Sequence, residues 1–109
     1  MRLGVHEFQE LRLLNELRLG IVDVDGNERP CMEVLLGAAG GDVRTRLGLP
    51  ADAGRDETQR RLLAEHARWQ ATAADPMTSP ELARAAAVLQ RTLEGLRRGL
   101  IDGQDGPEG

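Results

Sequence analysis

A leucine seam near the carboxyl end constrains the fold of this chain more than any other feature. Its apolar side chains recur at alternating spacings of four and three: Leu82, Ala86, Leu89, Leu93, Leu96 and Leu100. This spacing places them on one face of an α-helix of about five turns, with arginines on the other side. Ser79 is placed to cap the helix and Pro80 to occupy its first position. We predict an amphipathic helix that packs against a second helix.

A matching apolar face precedes the seam. Within residues 55–74, four side chains recur at spacings of four, three and four: Leu62, His66, Trp69 and Ala73. Asp56 is placed to cap this helix, and Pro76 ends it because proline disfavours a helical residue before it. Only about four residues connect the two helices, so we predict an antiparallel hairpin packed apolar face to apolar face.

The N-terminal half shows weaker patterns. Residues 5–19 predict a helix with apolar side chains on more than one side, which needs more than one packing partner. The Asp-rich stretch 21–28 allows a small hairpin, but no return strand follows Pro30, and we favour an ordered loop. A short helix is expected from Pro30 to about Leu36, since proline is favoured at the start of a helix.

The scarcity of aromatic side chains agrees with a helical chain. Phe8 and Trp69 are the only aromatic residues among 109, and strands depend on such residues to cover a pleated surface. We expect an all-α fold, a small helical domain with a C-terminal antiparallel helical hairpin. The expected divisions are an N-terminal helical segment with an Asp/Gly-rich loop (1–42), the hairpin (43–101) and a disordered acidic tail (102–109).

Charge and hydropathy argue against several classes of partner. The formal net charge is −4, and no segment carries the dense basic patch that nucleic acid requires. No apolar stretch approaches the roughly 20 residues that span a bilayer, and the amino terminus lacks the apolar core of a signal peptide. We therefore expect a soluble, cytoplasmic protein with neither a nucleic-acid nor a membrane partner.

The sequence gives little support for catalysis. Cys31 is the only cysteine, which excludes an internal disulfide, and we expect a buried, inert side chain. His66 shares the apolar face of its helix and is interpreted as half-buried and structural. No paired acids, no nucleophile beside a base and no ligand cluster emerge, so we predict a non-enzymatic protein without a cofactor.

The acidic loop raises a metal hypothesis. Four potential oxygen ligands surround a Gly turn, as in calcium loops: Asp23, Asp25, Asn27 and Glu28. The register departs from that of an EF-hand, because Glu28 stands where glycine is needed and Val34 where a bidentate glutamate is needed. A solvated turn is the first interpretation, and a divalent-metal switch is the weaker alternative.

The segment Leu47-Gly48-Leu49-Pro50, followed by Ala51-Asp52-Ala53, leads into the predicted hairpin, and Trp69 stands near the end of its first helix. In this order of features, residues 43–98 resemble the J-domain of DnaJ-type co-chaperones. That family stimulates ATP hydrolysis by Hsp70 through a His-Pro-Asp loop, whereas the aligned residues here are Gln70-Ala71-Thr72. The resemblance implies the helical scaffold and a basic docking face, without Hsp70 stimulation.

We predict a helical protein–protein interaction module, an adaptor or accessory subunit with an acidic partner. The predicted partner-binding residues lie on the helix at 55–74: Arg60, Arg61, Arg68 and Trp69. For Trp69, packing in the core and exposure as a partner anchor are both open. The alternative is a self-assembling homodimer, in which part of the leucine seam and the flank formed by Gly95 and Gly99 meet a second copy.

Overall fold

A computed structural model describes residues 4–101, and all regular structure in that range is helical. The helices are α1 (Val5–Arg18), α2 (Arg29–Leu35), α3 (Val43–Arg46), α4 (Arg55–Ala74) and α5 (Pro80–Ile101). The range contains no strand, so the expected all-α fold is confirmed. None of these helices is both long and apolar enough to cross a lipid bilayer. The tail at 102–109, for which we predict disorder, lies outside the described residues.

The leucine seam of α5 is buried against α4, as its spacing predicts. Leu89 and Leu93 are fully buried and share one core cluster with Trp69 of α4. The two helices are antiparallel, because the Arg55 side chain at the start of α4 donates a hydrogen bond to the carbonyl oxygen of Leu100 near the end of α5. The predicted C-terminal hairpin is therefore present.

The start of α5 agrees with the sequence prediction, whereas the start of α4 differs from it. The Ser79 hydroxyl accepts a hydrogen bond from the backbone N–H of Leu82 at 3.2 Å, which satisfies one of the free donors of the first turn. At α4 the cap is Gly54, so the prediction of Asp56 as the cap was wrong. Asp56 lies in the first turn with Glu57, where a carboxylate favours the positive end of the helix dipole.

One face of α1 completes the core above the hairpin. Leu13 and Leu17 of α1 and Met32 and Leu35 of α2 belong to the same buried cluster as the seam of α5. The core is thus continuous across residue 42, where the sequence analysis places a domain division.

The segment between α1 and α2 is an ordered loop without strand pairing, as expected. Val22 is 2% exposed and anchors this loop in the core. The short helix α2 begins at Arg29 with Pro30 in its first turn and ends at Leu35, within one residue of the prediction at each end. The loop and α2 together bring the N-terminal half against the hairpin.

Candidate functional site

The arginines assigned to a partner lie in different settings on α4. Arg60 is exposed and has no ion-pair partner among residues 4–101. Arg61 has a side chain 48% exposed, with its Nε 3.7 Å from a Glu65 oxygen. Arg68 is held more firmly, with Nη2 2.6 Å from Glu28 and Nη1 3.5 Å from Glu65. Arg60 and Arg61 therefore face solvent, whereas Arg68 ties α4 to the residue that precedes α2.

Trp69 belongs to the core. It is 2% exposed, and the guanidinium carbon of Arg68 lies 4.7 Å from its ring centroid, a cation–π distance. The indole N–H has no acceptor among the described residues, which costs about 1–3 kcal/mol for a buried donor. Of the two interpretations left open by the sequence, the structure shows core packing, and in this conformation Trp69 offers no surface to a partner.

Two exposed arginines of α5, Arg84 and Arg91, also contact α1. Arg84 Nη1 lies 3.5 Å from Glu16 Oε1, and Arg91 Nη1 donates to Gln9 Oε1 at 3.4 Å. The sequence analysis places both arginines on the open side of the seam. Both side chains remain exposed, so α1 engages these two arginines without burying them.

His66 lies half-buried between α4 and α5, as expected. Its Nε2 is 3.0 Å from Glu94 Oε2, and 26% of its side chain is exposed. No other acidic side chain among residues 4–101 forms an ion pair with it. The residue therefore links the two helices of the hairpin.

A polar cluster joins α1, α3 and α5. Glu10 Oε2 accepts a hydrogen bond from the Thr92 hydroxyl at 2.5 Å and lies 3.3 Å from His6 Nε2 and 3.4 Å from Arg46 Nη1. Glu10 is 9% exposed and Thr92 3%. The sequence analysis missed this cluster. The spacing of four between His6 and Glu10 on one face of a helix is its only local signal.

Gly37 leaves room for Arg46 to reach this cluster. Its φ is +98°, and a Cβ atom at Gly37 would lie 3.1 Å from Arg46 Nη2. A larger residue would be strained in that backbone conformation and would press on the guanidinium. The turn after α2 thus determines where Arg46 can lie.

The geometry of the polar cluster differs from that of a catalytic relay of hydroxyl, imidazole and acid. His6 directs the same Nε2 toward both Thr92 Oγ1, at 3.0 Å, and Glu10. Its Nδ1 has no partner among the described residues. A nucleophile relay needs the imidazole between hydroxyl and acid, with one ring nitrogen toward each. The Thr92 hydroxyl donates to Glu10, and the contacts of this cluster connect three helices.

The acidic loop forms a turn that leads into α2. The Asp25 carbonyl oxygen accepts hydrogen bonds from the N–H groups of Glu28 and Arg29 at 2.9 and 3.2 Å. The Glu28 carboxylate is engaged by Arg68. Within residues 4–101 no three Asp, Glu, His or Cys side chains come together as metal ligands would. Residues from 23 to 28 therefore direct the chain into α2.

Cys31 is exposed, so the expectation of a buried cysteine was wrong. The neighbouring Met32 and Leu35 occupy the buried face of α2, and Cys31 is turned about 100° away from Met32 around the helix axis. It lies at the edge of a cavity of about 210 Å³ between α2 and α4, which is also lined by Leu47 and Arg61. The only thiol of the chain is therefore accessible.

Asp42 caps α3. Its carboxylate accepts hydrogen bonds from the Thr45 hydroxyl at 2.6 Å and from the Thr45 backbone N–H at 3.2 Å. These bonds, the hydroxyl contact first, lower the pKa of Asp42 below its ordinary value of 3.8. The charged form of Asp42 is thus the one that stabilises this short helix.

The flank formed by Gly95 and Gly99 is open. A Cβ atom at either position would meet no atom within 4 Å. The two glycines border a groove of about 310 Å³ that is also lined by Val43 and Leu96. Within residues 4–101, no other helix is in close contact with α5 at these two glycines.

An exposed apolar strip runs along α1 on the side away from the core. We call these residues the α1 strip: Val5, Phe8 and Leu11 of α1, and Leu19 at the C-terminal cap of α1. They are 78%, 62%, 54% and 66% exposed. On the opposite side of the same helix, Leu13 and Leu17 are buried. The sequence predicts more than one packing partner for this helix, and the described residues cover only one of its sides.

Comparison with known proteins gives two related matches. The chain is similar to the isoniazid-induced protein IniC of Mycobacterium tuberculosis, in strains CDC 1551 / Oshkosh and ATCC 25618 / H37Rv. In both, 31% of residues are identical over 91 positions, which are 84% of this chain and 18% of IniC. The chain thus spans less than a fifth of the length of these relatives. No family model matches the sequence, and no solved structure matches it.

Proposed function

We propose that this chain is a non-enzymatic helical interaction module, an adaptor or accessory subunit, whose protein partner packs on the α1 strip. The observation that carries the proposal is the two-sided character of α1. Phe8 is 62% exposed, while Leu17 on the other side of the helix is fully buried. A helix that is apolar on both sides needs two apolar surfaces to cover it, and the described residues supply one.

The side chains of the α1 strip are large enough to anchor a partner. Burying a Val, Leu or Phe side chain contributes about 1.5–3 kcal/mol. Aromatic side chains at the centre of an interface supply a large share of its binding energy. Phe8 lies between Val5 and Leu11 along the strip, so these residues form one anchor with the ring at its centre.

The charges beside the strip indicate the chemistry of the partner. The Arg12 side chain is 67% exposed, and Arg18 is exposed at the C-terminal end of α1. Arg60 is exposed on α4, a separate helix. We infer a partner with an apolar helix face or groove bordered by acidic residues, because opposite charges around an apolar centre favour encounter and register.

The length of the relatives supports a docking role. In IniC the similar segment is 18% of a much longer chain. A helical segment of that share has the rest of the chain available as a surface to pack against. In the resemblance to J-domains, Gln70-Ala71-Thr72 stand in place of the His-Pro-Asp loop, and here they lie within α4, so we propose a module that does not stimulate Hsp70.

The decisive experiment compares two exposed apolar positions. Phe8→Glu places a charge at the centre of the α1 strip, and Met77→Glu places one on the loop between α4 and α5, where Met77 is 89% exposed. We expect a partner purified with the wild-type chain to bind Phe8→Glu at least 30-fold more weakly in calorimetry, and to bind Met77→Glu with unchanged affinity. Both variants should keep the wild-type helical circular dichroism. Equal binding by Phe8→Glu would contradict the proposal.

The homodimer is the second candidate, and the open groove beside Gly95 and Gly99 favours it. Small residues on an uncovered helix flank allow another helix to approach closely. Sedimentation at micromolar concentration separates the two candidates. A monomer excludes the homodimer, whereas a tight dimer that Gly99→Leu disrupts establishes it.

A further inference from the structure

The cavity between α2 and α4 combines an apolar interior with a basic mouth. Its volume is about 210 Å³, and its lining includes Val34, Leu35 and Leu47. Leu35 and Leu47 are each 3% exposed, so they present a fixed apolar wall. Three arginines and one glutamate also line it: Arg46, Arg61, Arg68 and Glu65. The cationic groups at the cavity thus outnumber the carboxylates.

The three arginines differ in how well they are neutralised. Arg68 meets both Glu28 and Glu65, and Arg46 meets the buried Glu10 at 3.4 Å. Arg61 makes no hydrogen bond within residues 4–101, and its Nε lies 3.7 Å from the Glu65 carboxylate that Arg68 shares. The planar guanidinium of Arg61 can donate two parallel hydrogen bonds to the two oxygens of a carboxylate.

Gly48 forms the turn beside Arg61 at the edge of the cavity. It follows Leu47 with φ +74°, a conformation that L side chains rarely adopt. A Cβ atom at Gly48 would lie 4.0 Å from Arg61 Nη2. The bare backbone therefore lies beside the guanidinium, and the turn buries Leu47 in the wall of the cavity.

We propose that this cavity binds a small organic anion with an apolar body, a medium-chain carboxylate. The apolar body packs on Val34, Leu35 and Leu47, and the carboxylate accepts hydrogen bonds from Arg61 at the mouth. The volume is below the about 300–1,000 Å³ of sites for drug-sized ligands, which restricts the ligand to a small molecule. Burial of the chain supplies affinity, and the guanidinium selects the anion.

Cys31 provides a direct reporter of occupancy. It is exposed, it lines the cavity, and it is the only cysteine of the chain. A ligand in the cavity covers the thiol and slows its alkylation. Since the reagent iodoacetamide is uncharged, a change in its rate does not arise from attraction of the reagent by the arginines.

The experiment measures the rate of Cys31 alkylation while octanoate, octanol or octylammonium is added to the intact protein. We expect saturable slowing of at least fivefold by octanoate and far weaker effects of the other two. Arg61→Gln should weaken octanoate binding about tenfold or more, the scale of one charge-assisted hydrogen bond. Arg60→Gln is the matched control, because Arg60 is the preceding residue on α4 and does not line the cavity.

A second measurement does not use the thiol. Val34→Phe, which fills the cavity, should abolish the backbone amide shifts that octanoate causes in the wild-type nuclear magnetic resonance spectrum.

The proposal is overturned by the absence of saturation at millimolar octanoate, by equal binding of octanol, or by an unchanged affinity of Arg61→Gln. Stronger protection by an acetylated Leu-Glu dipeptide would overturn the small-molecule assignment in favour of an acidic peptide. Phe8→Glu should leave octanoate binding unchanged, so this site and the partner surface are tested separately.

Discussion

Glu10 holds three helices together through one buried carboxylate. Thr92 donates to it at 2.5 Å, and Arg46 and His6 lie within 3.4 Å of the same oxygen. A buried charge is costly unless it is paired and hydrogen-bonded, and here α1, α3 and α5 each supply a partner. The residue therefore links the position of α1 to the rest of the core.

Glu10→Gln should destabilise the protein by about 2–3 kcal/mol, because it leaves the largely buried Arg46 without its carboxylate. Urea unfolding followed by circular dichroism measures this loss. The matched control is Arg12→Gln, which removes an exposed partner of Glu16 and should cost about 0–1 kcal/mol. A double variant with Arg46→Met should recover part of the loss. Equal small effects of Glu10→Gln and Arg12→Gln would show that the cluster contributes nothing beyond a surface pair.

At the scale of the helices, α3 has only four residues and depends on its cap. The Asp42 carboxylate meets the hydroxyl and the N–H of Thr45, and these contacts lower the pKa of Asp42. A folded pKa below the unfolded value of 3.8 means that the cap stabilises α3 fully above pH 3.8 and loses its effect as the pH falls through the lower folded pKa. Near neutral pH the cap is therefore fully formed.

The Thr45 amide should report this titration. On acidification its nuclear magnetic resonance shift should move with a midpoint below pH 3.8, the ordinary value for Asp. Asp42→Asn should remove the titration while keeping the helix, since asparagine caps about as well as aspartate. A midpoint at or above the ordinary value would mean that Thr45 does not hold the charged form.

The regular apolar spacing of the last two helices predicts which of their faces pack together. Helices α4 and α5 follow from the leucine seam and its matching apolar face, because spacings of three and four residues place side chains on one face of an α-helix. The exposure of Cys31 depends on which face of the short α2 meets the core, and a helix of seven residues has too few turns to show it. The Glu10 cluster and the cavity combine residues from distant segments, which no local pattern brings together.

At the scale of the whole molecule, the core does not divide at residue 42. Leu13 and Leu17 of α1 and Met32 of α2 are buried with the seam of α5. Removing them would expose Leu89 and Leu93, which are now fully buried. The free energy of unfolding of a domain of this size is small, so losing the burial on one side of the core removes a large fraction of it.

The fragment 43–109 should therefore fail to unfold cooperatively, although the sequence analysis places a domain division at residue 42. Circular dichroism and urea titration should show reduced helix and a shallow transition, because the slope of unfolding follows the area that becomes exposed. Addition of the peptide 1–42 should restore the transition, and the same peptide with Leu17→Asp should not, since Leu17 is fully buried in the shared core. A fragment that unfolds sharply at the midpoint of the full chain would establish the hairpin as a separate domain, with α1 as an appended helix.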